Sequence, residues 1–336
     1  MIHRRLALPL HRAAAGGAPV LVQGPRGAGK TTLLRREFPG HTYVSLDEAS
    51  DRDQARQQPA RFLHRLRGPS IIDSLHRAPE LAAFLSQSPP GPWLVASSHR
   101  LRLPFPALEL YPPTLAERER RPPLSLDLLG RFSPAPTSNT PAAPVWPQDP
   151  RALENDFRDL VRPHDFDRFL AFYRHARDRS GEILDQQSLA RQVSISHRTA
   201  VRWLEALDIC FLTLLLPPSH LAFGRRTVRR PTLHFFDSPL LTSRVISELY
   251  RNARHAGDLP DFRHWRDSNG FGLPLILQNE SDPPVPVEIA HSPTPASLER
   301  LRRWMRLAAV SRAALITEKP GFTRAAGILR YPVDQL

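Results

Sequence analysis

Gly24-Pro25-Arg26-Gly27-Ala28-Gly29-Lys30-Thr31 is the stretch from which the fold can be read. It fits G-x-x-x-x-G-K-[ST], the spacing of a loop that cradles phosphates. The apolar run Pro19-Val20-Leu21-Val22 precedes it and reads as a short buried strand. Thr32-Leu33-Leu34-Arg35-Arg36-Glu37 follows and reads as the first turns of a helix. Strand, glycine-rich turn and helix form the context that gives the motif its meaning. Glycines let consecutive backbone N–H groups turn toward one anion with no Cβ in the way. The helix opening at Lys30 points its partial positive end at the same anion. The motif therefore assigns Gly24, Pro25, Arg26, Gly27, Ala28, Gly29, Lys30, Thr31 and Thr32 to a nucleotide, with Lys30 on the β/γ-phosphates and the Thr31 hydroxyl on Mg²⁺.

The lysine usage supports this reading. Lys30 and Lys319 are the chain's two lysines, although Lys and Arg together number 46. A chain that writes arginine almost everywhere keeps lysine in the loop, where a compact ammonium fits under a phosphate and a planar guanidinium does not.

With 336 residues, 41% of them hydrophobic and 24% charged, the chain has core material for roughly two or three domains. A formal net charge of +13 points to acidic partners such as nucleotide or nucleic acid. The arginine bias is also a compositional habit, so charge alone does not establish DNA binding. The single cysteine, Cys210, lies in the apolar run Ile209-Cys210-Phe211-Leu212 and reads as a buried core thiol. One cysteine excludes an internal disulfide framework and fits a reducing cytoplasm. No apolar run reaches the roughly 18–20 residues of a membrane span. His11 and Arg12 interrupt the apolar start of the chain, so no export signal is read there.

Residues 1–130 alternate strand-like and helix-like segments, the pattern of a parallel sheet flanked by helices. Strands are expected over residues 19–23, 41–46, 70–73, 92–97 and 107–111, and helices over 30–37, 60–67 and 79–86. The third strand ends in Ile71-Ile72-Asp73, and an acid at such a strand end holds Mg²⁺ through water. Asp73 is the candidate, with a plain turn aspartate as the alternative. Ser98, after the fourth strand, is a candidate γ-phosphate sensor, or simply a strand-terminating serine. Residues 131–150 are rich in Pro, Ser, Thr and Ala and read as a linker.

Residues 151–230 read as helical and then basic. Leu189, Ala190, Val193 and Ile195, an N-cap at Ser196, and a stripe of Val201, Leu204 and Leu207 make a helix-turn-helix pattern. His197, Arg198 and Arg202 would face outward on its second helix. The stretch Gly224-Arg225-Arg226-Thr227-Val228-Arg229-Arg230 reads as a β-wing. Two readings stand here: DNA binding through that helix and the wing arginines Arg225, Arg226, Arg229 and Arg230, or an inter-domain module on the same fold. Residues 231–336 return to mixed α/β, with strands expected over 232–236, 274–277, 285–289 and 313–317. The basic helix around Leu298–Leu307 carries an arginine face that reads as solvated.

Taken in order, these signposts resemble the bacterial and archaeal AAA-type ATPases that carry a C-terminal domain of unknown function. The match runs through the phosphate loop, Tyr43-Val44-Ser45-Leu46-Asp47, Ile71-Ile72-Asp73 with Arg77-Ala78-Pro79-Glu80-Leu81, and Leu110-Tyr111-Pro112-Pro113-Thr114-Leu115-Ala116-Glu117. It continues through Leu189-Ala190, Leu216-Pro217-Pro218, Phe235-Phe236-Asp237, His264-Trp265-Arg266-Asp267 and Val287-Glu288-Ile289. The resemblance implies a P-loop domain, then a winged helix, then a small α/β domain similar to restriction endonucleases. It also implies ATP and Mg²⁺ as ligands, with Lys30 and Asp73 as catalytic residues.

Departures from the family pattern qualify the expected activity. The family has Asp-Glu at the Mg²⁺ strand, and this chain has Asp73-Ser74. Serine is no base near neutral pH, and losing a general base costs roughly 10²–10⁴ in rate. Asp47, Glu48 and Glu80 are the acids available as substitutes. The acids that hold metal in nuclease-active relatives are replaced by Gly272-Leu273-Pro274 and Glu288-Ile289-Ala290, so no nuclease activity is expected. The histidines, including His3, His11, His64 and His76, show no metal-ligand spacing. The expected function is an ATP-binding switch with slow or partner-stimulated hydrolysis, an arginine being supplied by another protein or a second copy. The alternatives are a DNA-binding regulator with a structural P-loop and a degenerate scaffold.

Overall fold

The computed structural model describes residues 2–87, 93–120, 157, 160–161, 165–278 and 282–336. The Pro-rich stretch 131–150 lies outside them.

Five short strands form one parallel sheet: β1 Val20–Gln23, β2 Thr42–Ser45, β3 Ser70–Asp73, β4 Trp93–Ser97 and β5 Ala107–Glu109, in the order β2-β3-β4-β1-β5. Because both faces are covered, the strands read as apolar runs rather than as alternations. Val20, Val22, Ile71, Leu94 and Ala96 meet α1 (Ala7–Ala14) and α2 (Lys30–Glu37) on one face. Leu21, Ile72, Trp93 and Val95 meet α3 (Ala49–Gln57), α4 (Pro59–Arg65) and α5 (Ala82–Leu85) on the other. The five-stranded parallel sheet expected from the sequence is present. The apolar start of the chain is α1, which buries Ala7, Leu10 and Ala14 against this sheet.

Two local expectations change. Helix α3 was not expected, because Ala55 is the one buried side chain in the run ASDRDQARQ, too little to make an apolar stripe. The helix expected over 79–86 is broken. It consists of a 3₁₀ turn, Pro79–Leu81, opened by Pro79 and followed by α5, and another 3₁₀ turn, Leu75–Arg77, lies ahead of it.

Helix α6 (Leu115–Glu119) opens on a capping box between Thr114 and Glu117. Further along the chain come α7 (Phe166–Asp178), α8 (Gln186–Gln192) and α9 (His197–Ile209). Ser196 caps α9, accepting from the Thr199 amide at 3.0 Å, as its position in the sequence implies. The buried stripe of α9 is Ala200, Trp203, Ala206 and Leu207, while Val201 and Leu204 are half-buried beside it. Cys210 is buried in the same core.

Strand β6 (Thr213–Leu216) pairs antiparallel with β7 (Thr232–Phe235). The strand expected over 232–236 is present, and its pairing partner, 16 residues upstream, is invisible to local pattern. The connection between them does not project as a free wing. It lies along β8 (Asp261–Arg266), where Pro218 bridges His264, Thr227 bridges Asp267, and the Val228 amide donates to the Arg266 carbonyl at 2.9 Å.

The C-terminal sheet runs β12-β13-β11-β10-β9-β8, with β9 Gly272–Gln278, β10 Val285–Ala290, β11 Ala313–Thr317, β12 Thr323–Ala325 and β13 Ile328–Pro332. It is mixed: β10, β11 and β13 are parallel, and β8, β9 and β12 run against their neighbours. Helix α10 (Leu241–Ala256) covers one face through Val245, Ile246 and Leu249, and α11 (Pro295–Ala308) covers the other through Leu301 and Trp304. Strand β11 alternates accordingly, with Ala314 and Ile316 toward α10 and Ala313 and Leu315 toward α11.

Candidate nucleotide site

Parallel strands bring their carboxyl ends to one edge, where open α/β sheets bind ligands. Here that edge collects Gly24 after β1, Asp73 at the end of β3 with Ser74 after it, and Ser98 after β4. Gly24 is required by a close approach: a Cβ there would lie 1.9 Å from the Leu110 carbonyl oxygen, where β5 runs on past β1. Gly27 and Gly29 take positive φ, 77° and 90°, and Gly29 is the N-cap residue of α2. Among the described residues no side chain caps that helix, so its first turn stays open to an anion.

Lys30 is 6% exposed and turns back into the loop. Its ammonium donates to the Gly24 carbonyl at 2.8 Å and the Pro25 carbonyl at 2.9 Å. Next to it, the Thr31 hydroxyl donates to Asp73 Oδ2 at 2.5 Å. The Tyr43 hydroxyl donates to the same oxygen at 3.1 Å, and the Ser74 amide donates to Oδ1 at 2.8 Å. A hydroxyl and a carboxylate side by side are hard oxygen donors of the kind Mg²⁺ takes. The glycine cradle, the ammonium and this oxygen pair thus fit a Mg-nucleotide.

The structure also sorts the substitute acids. Ser74, in the left-handed region at φ 62°, donates its hydroxyl to Asp47 Oδ2 at 2.8 Å, and Arg77 approaches the other Asp47 oxygen at 3.5 Å. Glu80 instead faces Arg56 at 3.6 Å. Asp47 is therefore the acid brought beside Ser74.

His76 and His99 have no recognisable spacing in the sequence, yet their ring centroids lie 4.4 Å apart, the planes tilted by 48°. Burial first, then the charges of His99, Arg77, Lys30 and Arg26, push the His76 imidazole down to about 3, so it is neutral at physiological pH. Its Nδ1 is sealed from solvent with no hydrogen-bond partner among the described residues. Ser98 is half-buried; the fully buried serine of this strand end is Ser97, whose hydroxyl donates to the His99 carbonyl at 2.6 Å.

The loop is wired to the far end of the chain. Buried Arg4 donates to the Ala28 carbonyl at 2.7 Å, to the Tyr111 carbonyl at 2.6 Å and to Glu117 at 3.2 Å. Glu117 also accepts from the Arg5 amide at 2.8 Å and pairs with His255 Nδ1 of α10 at 3.1 Å. His255 Nε2 accepts from the Tyr111 amide at 2.9 Å, so the ring proton sits on Nδ1 and donates to Glu117. Burial holds the His255 imidazole below its ordinary value. Burial pushes the Glu117 carboxyl up, but His255, Arg4 and the Arg5 amide overcome it and hold the group at about 2. Nearby, the Leu115 amide donates to Glu248 of α10 at 2.5 Å, and the Arg100 amide donates to the Ile209 carbonyl at 2.8 Å.

His197, Arg198 and Arg202 are exposed on α9, and Arg226, Arg229 and Arg230 are exposed on the β6–β7 connection. Arg225 is not brought together with them. It is half-buried and paired at 2.9 Å with the buried Asp267, because that segment packs on β8. Arg230 lies 3.4 Å from Asp185. Among the described residues no group of His, Cys, Asp and Glu could hold a metal ion. Glu288 pairs with Arg300 at 2.8 Å. Among the same residues no helix is long and apolar enough to cross a membrane.

Comparison with known proteins agrees with the N-terminal geometry. Residues 17–103 match a family described as "AAA domain", and residues 150–247 match a "Domain of unknown function (DUF8612)". Two uncharacterized proteins, from Mycobacterium bovis and Mycobacterium tuberculosis, are each 26% identical over 382 residues, covering 100% of this chain and 85% of the relative. The first match, with the all-parallel sheet, supports an AAA-type, P-loop NTPase-like N-terminal region.

Proposed function

We propose that this chain binds Mg-ATP on residues 24–32 and Asp73 and uses the bound state as a switch on its C-terminal half, hydrolysing slowly or on contact with a partner. The observation that carries the reading is Lys30, buried and held on the Gly24 and Pro25 carbonyls next to the Thr31–Asp73 pair. A phosphate gives that ammonium a charged partner in place of two neutral carbonyls. Mg²⁺ held by Thr31, and through water by Asp73, would neutralise charge on the β- and γ-phosphates. Ser98 is the proposed sensor. Hydrolysis is slow because Ser74 offers no base; Asp47, hydrogen-bonded to it, is the proposed replacement. An arginine from a partner or a second copy would complete the charge stabilisation.

Helices α8 and α9 with the β6–β7 hairpin are read as a winged helix, and the mixed sheet as a restriction-endonuclease-like domain without nuclease activity. The packing of residues 217–231 on β8 and the Arg225–Asp267 pair favour the inter-domain reading of the winged helix over a free DNA-reading wing.

Calorimetric titration of Mg-ATP into wild type and Lys30→Ala, with phosphate release followed in parallel, tests the proposal. Binding lost in the variant, with little release from wild type, is the expected result. Equal binding in both proteins, or none in either, overturns it.

A further inference from the structure

Strand β4 lies between β1 and β3 in the sheet, so whatever follows β4 comes between the phosphate loop and Asp73. Neighbouring strands are about 4.8 Å apart, which puts residues just past β4 within side-chain reach of both. The backbone ties these strand ends together: the Gly24 amide, first of the loop, donates to the Ser97 carbonyl at 3.1 Å. Two residues beyond Ser97 is His99, 8% exposed, its amide donating to Ser97 Oγ at 3.1 Å. Three residues beyond Asp73 is His76, in the 3₁₀ turn that the Arg77 amide closes on the Ser74 carbonyl at 2.9 Å. The two imidazoles meet with 4.4 Å between ring centroids. Both rings thus stand on short, hydrogen-bonded segments at the edge where the loop opens.

Two observations mark His76 as more than packing. Its Nδ1 is sealed from solvent without a hydrogen-bond partner among the described residues, a costly state for a ring nitrogen. Burial, then the charges of His99, Arg77, Lys30 and Arg26, keep the ring neutral, so two cations of the phosphate loop lie within electrostatic reach of it. A neutral imidazole offers one donor and one acceptor. Set among cations, it donates to a phosphate oxygen without burying a further positive charge. The loop amides cradle the α- and β-phosphates, so a group past the ends of β3 and β4 meets the third phosphate alone. That phosphate is also the one the metal ion bridges to the second, beside Thr31 and Asp73.

We propose that His76, held in place by the His99 ring, hydrogen-bonds the γ-phosphate and so makes the site distinguish a nucleoside triphosphate from a diphosphate. This role rests on the Mg-ATP reading of residues 24–32 and names the group that registers loss of the third phosphate. His76 acts beside Ser98, the proposed sensor at the end of β4. His99 is a positioning residue that touches no ligand.

Calorimetry on the full chain compares Mg-ADP with the Mg²⁺ complex of adenylyl imidodiphosphate, a triphosphate that is not hydrolysed. His76→Phe fills the space against His99 without a nitrogen. It should weaken the triphosphate analogue about tenfold or more and leave Mg-ADP within about twofold. His76→Gln, which keeps a neutral donor, should bind the analogue more tightly than His76→Phe does. His99→Leu removes the supporting ring and should cost less, again for the analogue alone. Retained Mg-ADP affinity shows that each variant is folded, and it is the readout that a merely structural His76 would move. His76→Ala is read in the same way where the larger ring is not tolerated. If wild type binds both ligands and removing the nitrogens weakens both alike, or neither, the γ-phosphate role falls while the Mg-ATP reading stands. If wild type binds neither ligand, both fall.

Discussion

Lys30, Ser74 and Gly24 act at single atoms, and substitutions there separate binding, chemistry and folding. Lys30→Ala removes the ammonium and leaves two carbonyls without their donor, so Mg-ATP affinity falls by more than about tenfold while stability drops by about 1–3 kcal/mol. Calorimetry and a denaturant melt read the two effects separately. Ser74→Glu restores the acid expected at that position, and phosphate release should rise by about 10–10²-fold with affinity little changed. Asp47→Asn should lower whatever release the wild type has; a variant that releases phosphate at the wild-type rate removes Asp47 from the mechanism. Gly24→Ala sets a Cβ 1.9 Å from a backbone oxygen that cannot move without unzipping β5. That variant should lose several kcal/mol, on the order of 4 or more, and be recovered largely insoluble.

At the scale of elements, the joint between α6 and α10 buries charge deeply. The Glu117 carboxyl titrates at about 2 in the fold, against an ordinary value near 4.5. A depressed folded value means that its stabilisation is present above about pH 4.5 and is lost as pH falls toward 2, on the order of 3 kcal/mol in all. Melting temperature should therefore fall steeply between pH 4.5 and pH 3. In Glu117→Gln that slope should flatten, with lower stability at neutral pH because Arg4 loses its counter-charge. None of this joint was legible in the sequence: Arg4, Glu117 and His255 are separated by 113 and 138 positions. The elements themselves were far more legible. Helix α2 and strand β3 carry glycine or turn signals at their ends and apolar runs within, so both were found with their bounds. Helix α3 shows one buried alanine and no stripe, and β7 took its partner from the helical module rather than from the sheet ahead of it. The loop could be read because its chemistry is contiguous; the sequence named Asp47, Glu48 and Glu80 as substitute acids, and only the fold, which lays β2 beside β3, sets Asp47 against Ser74.

Across the whole molecule, apolar cores run over the boundaries that composition draws. Tyr111, from the strand end next to the phosphate loop, packs in one cluster with Phe211, Phe235 and Phe236. The Arg100 guanidinium sits 4.4 Å above the Phe211 ring. Shared cores couple unfolding, so differential scanning calorimetry should give one transition rather than two or three. Mg-ATP at a hundred times its dissociation constant should raise the stability of that single transition by about 2.7 kcal/mol. Amide exchange along α10 should slow with it; a shift confined to residues 2–120 would mean that the two halves melt apart.

The burial of Arg4 also sets the order in which the protein can be made. Its guanidinium and Glu117 reach their final surroundings only when His255 arrives, and three quarters of the chain must be synthesised first. A ribosome-bound fragment ending before α10 carries the complete phosphate loop, yet one wall of the pocket that holds Glu117 is missing. Nascent chains of this protein should accordingly engage holding chaperones until translation has passed α10, and should become protease-resistant only after that point.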